Sequence, residues 1–385
     1  MKRELVKGAS TPAPMAHYSQ GILAGDTLYA AGQIASDYQT GVPSQARQDP
    51  AFPYYGSNIQ KQARYVLENI QAVYRAAGCE LADTVKAQVF ITDLGDFYYF
   101  DQVWREFFPS PPPRTTVQIS GLLVPGCRVE IDLTAVRRKV ERRVVSGTTT
   151  PRPMAHYTQG VLAGDTLYAA GQIASDYKTG VPAGPDIAKQ TRYVLENIAA
   201  VYRAAGFALA DTVKAQVFLT GARDLKALDK VWRKFFPSPP PRTVVQVGGL
   251  LVPGCKIEID LIAVDRRVRR MSVDRGILAG ETLYAAGQVA PKVRQDPAFP
   301  YYGSDIQLQT RHILESLRAV YQAAGCSLED TVKAQVFLTN LDDFHYFDQI
   351  WKEFFPSPPP RTTVQVSGLL VPGCRVEIDL TAVKP

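Results

Sequence analysis

A nine-residue string, Phe-Phe-Pro-Ser-Pro-Pro-Pro-Arg-Thr, occurs three times in this chain, and its repetition constrains the fold more than any other feature. It occupies residues 107–115, 235–243 and 354–362. The arginines that end the proline runs are 128 and 119 residues apart, far beyond the roughly 20–50-residue period of solenoids and typical of a whole domain. Thr-Leu-Tyr-Ala-Ala-Gly-Gln and Asp-Thr-Val-Lys-Ala-Gln-Val-Phe recur three times as well. The sequence therefore predicts one domain written three times.

The composition agrees with three ordinary globular units. Hydrophobic residues make up 46% of the chain and charged residues 21%, and a unit of about 120 residues can bury its own core. We place the repeats at 1–138, 139–266 and 267–385. No run of about 18 apolar residues occurs, and no apolar stretch follows the basic residues of the N-terminus. We therefore expect a soluble, cytoplasmic protein with no membrane partner.

Basic residues cluster at the two junctions between repeats, within 137–143 and 266–270, and contribute to the formal net charge of +6. Such a cluster can bind nucleic acid, but between repeats it is more often a solvated linker or an edge strand. No RNA-recognition motif with interleaved aromatic residues accompanies it. Nucleic acid is therefore not the expected partner.

Cysteine and histidine usage points away from metal sites and disulfides. The five cysteines are odd in number and have no Cys-x-x-Cys spacing, and only four histidines occur. These counts predict neither a disulfide framework nor a zinc site.

The first repeat has a clear pattern of strands and helices. Residues 27–35 and 84–92 predict strands, and residues 115–120 and 128–136 predict two more, joined by a Val-Pro-Gly turn. Between the first two strands lies a long amphipathic helix, and an aromatic-striped second helix precedes the prolines. Its stripe consists of Phe97, Phe100, Trp104 and Phe107.

This order of elements indicates an α+β domain with helices on one face of a mixed sheet. A sheet whose one face is covered by helices must also bury its other face. Three such sheets around a pseudo-threefold axis would cover one another, so a monomeric chain is expected to form an internal trimer with a barrel-like centre.

The three copies differ in ways that predict unequal clefts. The first and third carry an insert, at 47–56 and 294–303, where the second has only Ala-Gly-Pro at 183–185. Met-Ala-His-Tyr precedes the first hairpin in two copies and brings in Tyr18 and Tyr157. The third copy enters directly through residues 271–275, so we expect its leading strand and its tyrosine to be missing, with Val273 at the tyrosine position.

Each arginine after the prolines is a candidate ligand for a carboxylate. Arg114, Arg242 and Arg361 begin a strand after an extended, restricted approach, so each offers a fixed guanidinium fork. The alternative is an ion pair with a neighbouring acid at a domain interface.

A glutamate follows each arginine by sixteen residues: Glu130, Glu258 and Glu377. In the last strand apolar residues alternate with polar ones, so the glutamate points away from the apolar face. A hairpin would bring it beside the strand of its own arginine, where it could hold a water as a general base. The alternative is a plain salt bridge to that arginine or to Arg128. No Ser-His-Asp pattern, Walker loop or His-Glu-x-x-His motif is present, so the residues alone indicate an anion-binding cleft at an interface.

Several further strings resemble the Rid family, the reactive intermediate deaminases also called YjgF proteins. They are Tyr-Ser-Gln at 18–20, Gly-Gln at 32–33, Ala-Arg-Tyr-Val-Leu-Glu-Asn at 63–69, Val-Lys-Ala-Gln-Val-Phe, Pro-Arg-Thr and Val-Glu-Ile-Asp. The resemblance covers nearly the whole chain. It implies a chorismate-mutase-like fold, trimeric, with sites between neighbours, and hydrolysis of 2-imino acids and enamines to 2-keto acids and ammonia without a metal or cofactor.

The resemblance also implies roles for particular residues. Arg114, Arg242 and Arg361 would bind the substrate carboxylate, and Glu130, Glu258 and Glu377 would position the attacking water. The cleft would be lined by two tyrosines and shaped by three glycines: Tyr18, Tyr157, Gly32, Gly171 and Gly287.

Two positions depart from the family pattern. Where the family often has a cysteine two residues after the arginine, this chain has Thr116, Val244 and Thr363. Where it often has an asparagine in the second helix, this chain has Asp101, Asp229 and Asp348. A carboxylate there should disfavour a second anion and favour a cationic iminium.

Three functions stay open. The first is hydrolytic deamination of imines in every cleft. The second is a single specialised site for a larger imine or β-keto substrate, with the aromatic insert at 52–55 either as a wall of the site or as a packed surface loop. The third is a protein that binds a small carboxylate without catalysis, or a ribonuclease, as some relatives have been described.

Overall fold

The computed structural model describes residues 1–36, 41–48, 56–176, 178–290 and 304–385, apart from the side chains of Ser57 and Ser304. The predicted aromatic wall at 52–55 and the second insert lie outside these residues. No described helix combines the length and the apolar character that crossing a bilayer requires.

The first repeat contains two helices and eight strands. The helices are α1 (Ser57–Ala76) and α2 (Phe97–Phe107). The strands are β1 (Arg3–Val6), β2 (Gly21–Ala24), β3 (Thr27–Ala30), β4 (Gln33–Ile34), β5 (Thr84–Ile91), β6 (Arg114–Gln118), β7 (Gly121–Leu122) and β8 (Val129–Val136). The predicted strand at 27–35 is interrupted at Gly32, where the backbone N–H donates instead to Thr362 of the third repeat, at 3.0 Å.

The second and third repeats follow the same order, except that a single bridge between Gln288 and Ile378 replaces the short fourth strand in the third. The second contains β9 (Arg142–Val145), β10 (Gly160–Ala163), β11 (Thr166–Ala169), β12 (Gln172–Ile173), α3 (Ile187–Ala205), β13 (Thr212–Leu219), α4 (Leu225–Phe235), β14 (Arg242–Gln246), β15 (Gly249–Leu250) and β16 (Ile257–Val264). The third contains β17 (Arg270–Val273), β18 (Gly276–Ala279), β19 (Thr282–Ala285), α5 (Ser304–Ala323), β20 (Thr331–Leu338), α6 (Phe344–Phe354), β21 (Arg361–Gln365), β22 (Gly368–Leu369) and β23 (Val376–Val383).

The helices cover one face of each sheet, as predicted. Ile59, Val66 and Ile70 of α1 are fully buried against the sheet, together with the α2 side chains Phe100 and Trp104. Because α1 has one apolar face, its packing against the strands removes that face from water and stabilises the helix far more than propensity alone.

Each of the three sheets is open, and each ends in a short strand from another repeat. The strand order of the first is β1-β2-β3-β8-β5-β6-β15, and the equivalent orders end in β22 and β7. No sheet closes into a barrel. The prediction that a hairpin places β8 beside β6 was wrong, because β5 lies between them, parallel to β6 and antiparallel to β8. Glu130 therefore faces Phe90 in the sheet and is not beside its own repeat's arginine.

The third repeat has its leading strand after all. β17 pairs with β18, and Val273 lies opposite Gly276 just as Val6 lies opposite Gly21. Val273 is thus not at the tyrosine position. The third repeat lacks instead the segment between its first two strands, which a two-residue turn with Arg275 at a φ of 58° replaces.

The uncovered faces of the sheets meet at the pseudo-threefold axis. Phe90, Phe218 and Phe337 lie there in an apolar cluster that draws on all three repeats. Beside it three glutamine side chains form a closed ring of hydrogen bonds, in which each amide donates to the next. They are Gln88, Gln216 and Gln335.

Three buried ion pairs join neighbouring repeats beside the glutamine ring. They are Lys86–Asp260, Lys214–Asp379 and Lys333–Asp132. Each aspartate also accepts a hydrogen bond from a threonine, and Thr115 donates to Asp260 at 2.7 Å. Pairing and hydrogen bonding offset the cost of burying these charges.

Two arginines at each basic junction pair with a buried acid, while Arg138 and Arg266 remain 64% exposed. Arg138 and Arg142 both contact Asp83, and Arg266 and Arg270 both contact Asp211. The strands at these junctions, β9 and β17, lie at the edges of their sheets. The arrangement favours the edge-strand interpretation over an RNA-binding surface.

We predict that Asp379→Asn destabilises the protein by about 3–5 kcal/mol, because it leaves the Lys214 ammonium buried without its anion. The measurement is the free energy of unfolding in urea. Glu4→Gln, which breaks an exposed pair with Lys2, is the control and should leave the unfolding curve unchanged. Equal effects of the two substitutions would contradict the assigned importance of the axial pair.

Candidate active site

The proline run fixes each arginine at the start of its strand and also docks the next repeat. Pro113 accepts a hydrogen bond from the backbone of β5 at 2.9 Å, so Arg114 enters β6 in register. Pro112 accepts one from the N–H of Thr158 at 3.3 Å. His156, two residues before Thr158 in the second repeat, makes a further contact with the first repeat: its Nε2 lies 2.6 Å from the carbonyl oxygen of Phe108.

The arginine forms one ion pair within its own repeat. Arg114 Nη2 donates to Asp101 Oδ1 at 2.8 Å, and Arg361 and Arg242 pair with Asp348 and Asp229 in the same way. The alternative of an internal ion pair is therefore realised in all three copies. The pairing is incomplete, because the Nη1 atom of each arginine is buried without a hydrogen-bond partner among the described residues.

Aromatic rings of the second helix surround the guanidinium. The guanidinium carbon of Arg114 lies 5.3 Å from the ring centre of Phe97, 5.6 Å from that of Phe100 and 5.0 Å from that of Trp104. Burial lowers the pKa of Arg114, and Asp101 opposes this effect. The cation–π contacts and the ion pair hold the group in one orientation.

The glutamate opposite each arginine comes from the following repeat. Glu258 faces Arg114, and its Oε1 accepts from the Thr116 N–H at 3.4 Å. In the same manner Glu377 faces Arg242, and Glu130 faces Arg361. We call these the 1–2 cleft, the 2–3 cleft and the 3–1 cleft after the repeats that form them. The alternative salt bridge of Glu130 to Arg128 is not what forms, since Arg128 contacts Asp93 and Asp96.

Glycine is required beside each glutamate because the carboxylate lies against the backbone. A Cβ atom on Gly171 would come within 2.1 Å of Glu258 Oε1, and the distances for Gly32 and Gly287 are 2.1 and 2.3 Å. The N–H of Gly171 donates to the Thr115 hydroxyl at 3.0 Å. The three predicted glycines therefore lie where the two repeats meet.

The buried glutamates bind protons more tightly than usual. Burial raises the pKa of Glu130, Glu258 and Glu377 to about 8, and in each the neighbouring aspartate of the same strand adds to this effect. Backbone N–H donors and the nearby arginine oppose it. A carboxyl group with a pKa near neutrality can both donate and accept a proton.

Tyr157 and Tyr18 complete two of the clefts. Tyr157 lies beside Glu258 and Arg114, and Tyr18 beside Glu130 and Arg361. Removal from water raises the pKa of both hydroxyls to about 12, so they stay neutral and available for hydrogen bonds. Among the described residues the 2–3 cleft has no such tyrosine, because the third repeat lacks the segment that carries it.

The 1–2 cleft encloses a cavity of about 140 Å³. Its walls include Arg114, Thr116, Tyr157, Gly171 and Glu258, which the sequence had singled out. Asp101 is not part of the wall but lies behind Arg114. Within the described part of the chain, no group of three His, Cys, Asp or Glu side chains is placed to hold a metal ion.

Some residues of the cavity wall were missed from the sequence. They are Phe97, Met154, Ala155, Ile173, Ser175, Leu251 and Val252. Thr115, which joins Gly171 to Asp260, was missed as well. The recurrence of Thr115 in all three Pro-Arg-Thr strings was a usable signal, whereas the apolar wall residues carry no pattern that separates them from the core.

Comparison with known proteins identifies the family of the chain. The family model described as Endoribonuclease L-PSP matches the chain three times, over residues 8–137, 147–265 and 271–384. The chain belongs to this family. The resemblance to Rid proteins drawn from the sequence motifs is thereby confirmed, as is the threefold repetition of the domain.

Individual relatives of the family each correspond to one repeat. A RutC family protein of Saccharolobus solfataricus is 38% identical over 122 residues, which are 32% of this chain and 97% of that protein. A bovine 2-iminobutanoate/2-iminopropanoate deaminase is 32% identical over 136 residues, covering 35% and 90%. The crystal structure of the Escherichia coli YjgF gene product has 36% identity and a TM-score of 0.30, covering 32% of this chain and 99% of its own.

The glutamates generate a prediction for stability against pH. Their pKa lies above the ordinary 4.5, so the folded protein holds protons that the unfolded chain releases between about pH 4.5 and pH 8, and stability falls as the pH rises through this range. Replacing all three by glutamine should flatten that decline, measured as the thermal midpoint at several pH values. Glu106→Gln, on the surface, is the control and should retain the wild-type slope. Parallel curves for the triple variant and the wild type would contradict the raised pKa values.

Proposed function

We propose that the chain hydrolyses 2-imino acids and their enamine tautomers to 2-keto acids and ammonia in the clefts between repeats. One observation carries the proposal. In the 1–2 cleft an arginine whose Nη1 atom has no hydrogen-bond partner among the described residues, and a glutamate whose pKa burial raises to about 8, come from different repeats and line one small cavity. That combination suits a small carboxylate with a reactive carbon next to it.

Arg114 would orient the substrate by its carboxylate. The Nη2 atom is occupied by Asp101, so the carboxylate would accept from Nη1. Asp101 already balances the guanidinium charge. A substrate that becomes an iminium carboxylate in the cleft carries a positive charge next to its carboxylate, so it then adds no net anion to the site.

Glu258 would act as both the proton donor and the proton acceptor of the reaction. In its protonated form it gives a proton to the imine nitrogen, which makes C2 more electrophilic. The resulting carboxylate takes a proton from a water molecule as the water oxygen bonds to C2, giving a carbinolamine. The proton then passes to the amine, the C–N bond breaks, ammonia leaves, and the hydroxyl proton returns to Glu258 as the ketone forms.

Tyr157 and Thr116 would hold the attacking water or the carbinolamine oxygen. Both line the cavity, and the neutral Tyr157 hydroxyl can donate or accept. In the 3–1 cleft the equivalent Thr363 hydroxyl is buried without a hydrogen-bond partner among the described residues, which leaves it available for such a contact.

Relatives support the same reaction class. Bovine, goat and human proteins that match one repeat at 28–32% identity are named 2-iminobutanoate/2-iminopropanoate deaminase. The proposal extends that reaction class to this chain because the arginine and the glutamate recur in each of its repeats.

The pairing of residues across repeats gives a sharp prediction. Arg114 and Glu258 serve one cleft, so Arg114→Ala combined with Glu258→Gln should be no slower than Arg114→Ala alone. Arg114→Ala combined with Glu130→Gln disables both tyrosine clefts, so that at most the 2–3 cleft stays active, and should lower the rate at least about twofold below either single variant. The assay supplies 2-iminopropanoate from alanine with an amino-acid oxidase and follows its loss.

Two outcomes would count against the proposal. Equal rates for the two double variants would show that Arg114 and Glu258 do not share a site. A wild-type rate equal to that of buffer would reject imine hydrolysis and favour carboxylate binding without catalysis.

A further inference from the structure

The 2–3 cleft differs from the other two in what covers its arginine. In the first two repeats, residues 7–20 and 146–159 connect the first strands and bring Tyr18 and Tyr157 over the neighbouring arginine. In the third repeat only Asp274 and Arg275 connect β17 to β18. The wall that the tyrosine segment forms in the other two clefts therefore has no counterpart among the described residues of the 2–3 cleft.

The second helix of the repeat has smaller side chains at the same cleft. Leu225 and Leu228 of α4 stand where α2 has Phe97 and Phe100. Among the described residues, only the ring of Trp232 lies over this arginine, 4.8 Å from the Arg242 guanidinium carbon. The Arg242 side chain is consequently 20% exposed, against 1% for Arg114 and 1% for Arg361.

The polar part of the 2–3 cleft is nevertheless intact. Arg242 Nη1 is buried without a partner among the described residues, as in the other clefts. Glu377 accepts from the Val244 N–H at 3.4 Å, and the Gly287 N–H donates to the Thr243 hydroxyl at 3.0 Å. The groups that would hold a carboxylate and its C2 atom are the same, while the groups around them are smaller.

The replacements also make this cleft less polar. Val244 stands where the other clefts have Thr116 and Thr363, and no described residue replaces the tyrosine hydroxyl. A substrate side chain that extends from C2 would therefore meet apolar surface and an opening toward solvent. Binding of an apolar group is favoured there by the area it removes from water.

We propose that the 2–3 cleft is the site for 2-imino acids and 2-keto acids with bulky apolar side chains, including aromatic ones, whereas the two tyrosine clefts take small ones. The reaction at this cleft rests on the proposed function, whereas the binding preference does not. Arg242 binds the carboxylate, and the space left by the missing tyrosine segment and by Leu225 accommodates the side chain.

The first experiment measures binding and needs no turnover. Phenylpyruvate and pyruvate are titrated into the wild type, Arg242→Ala and the Arg114→Ala/Arg361→Ala double variant, with calorimetric detection. Arg242→Ala should weaken phenylpyruvate binding at least about tenfold and leave pyruvate binding in place. The double variant should show the reverse.

The second experiment changes the size of the cleft without touching its charges. Leu225→Phe restores the aromatic ring found in the other repeats and should lower the preference for phenylpyruvate over pyruvate about tenfold. Lys226→Ala, on the exposed neighbouring residue of the same helix, is the control and should leave the preference unchanged.

The outcomes separate this inference from the proposed reaction. If phenylpyruvate does not bind, or binds equally well to the wild type and to Arg242→Ala, the assignment is overturned, whether or not imines are hydrolysed. If Arg242→Ala loses phenylpyruvate while the wild type hydrolyses imines of neither alanine nor phenylalanine, the binding preference stands and hydrolysis is rejected. If Leu225→Phe changes nothing while Arg242→Ala does, the carboxylate site stands but the size argument fails.

Discussion

The contact on which the rest of the structure depends is the buried bridge between Asp260 and the preceding repeat. Asp260 accepts from Thr115 and pairs with Lys86, and its equivalents repeat this arrangement around the axis. Thr115 directly follows Arg114, and Asp260 lies two residues beyond Glu258 on β16. The bridge therefore fixes the distance and the angle between the two residues of the candidate site, although it takes no part in the proposed reaction.

Charges in a protein interior stabilise only when each has its partner and its hydrogen bonds. The axial layer meets this condition, because each lysine has an aspartate and each glutamine has two neighbours in the ring. An apolar axis would bury the same area but would tolerate rotation of one sheet against another. The polar layer allows one arrangement, and a site made from two repeats requires that.

Much of this was accessible from the sequence, and what was not has identifiable causes. Repeated strings and hydrophobic periodicities within short segments predict the threefold repetition and the helix-covered sheets. They also single out the arginine and glutamate positions. The local patterns did not predict that Glu258 of the next repeat faces Arg114. β5 lies between β6 and β8 and pairs in parallel with β6 across a helix. No local pattern in β6 or β8 indicates that a strand from earlier in the chain lies between them.

Val273 illustrates a second limit. Val273 falls at the tyrosine position if residues are counted back from the first hairpin of the third repeat. This count assumes that the missing residues lie at the N-terminal end of the repeat. The shortening is internal, between two strands that still pair. An ion pair of Arg114 with a neighbouring acid was likewise only one of two alternatives, and Asp101 was not named as that acid, since the approach of α2 to the proline run is a tertiary contact. Departures from the repeat pattern, rather than the pattern itself, were the hardest to place.

Every repeat gives its arginine to one cleft and its glutamate to another. If three identical subunits assembled in this way, any inherited change would alter all the sites at once. With the copies joined in one chain, a shorter connection in one copy can reshape a single pocket while the other two keep their form. The fusion thus gives selection separate access to each site, and the uneven divergence of the copies is what such freedom would leave behind.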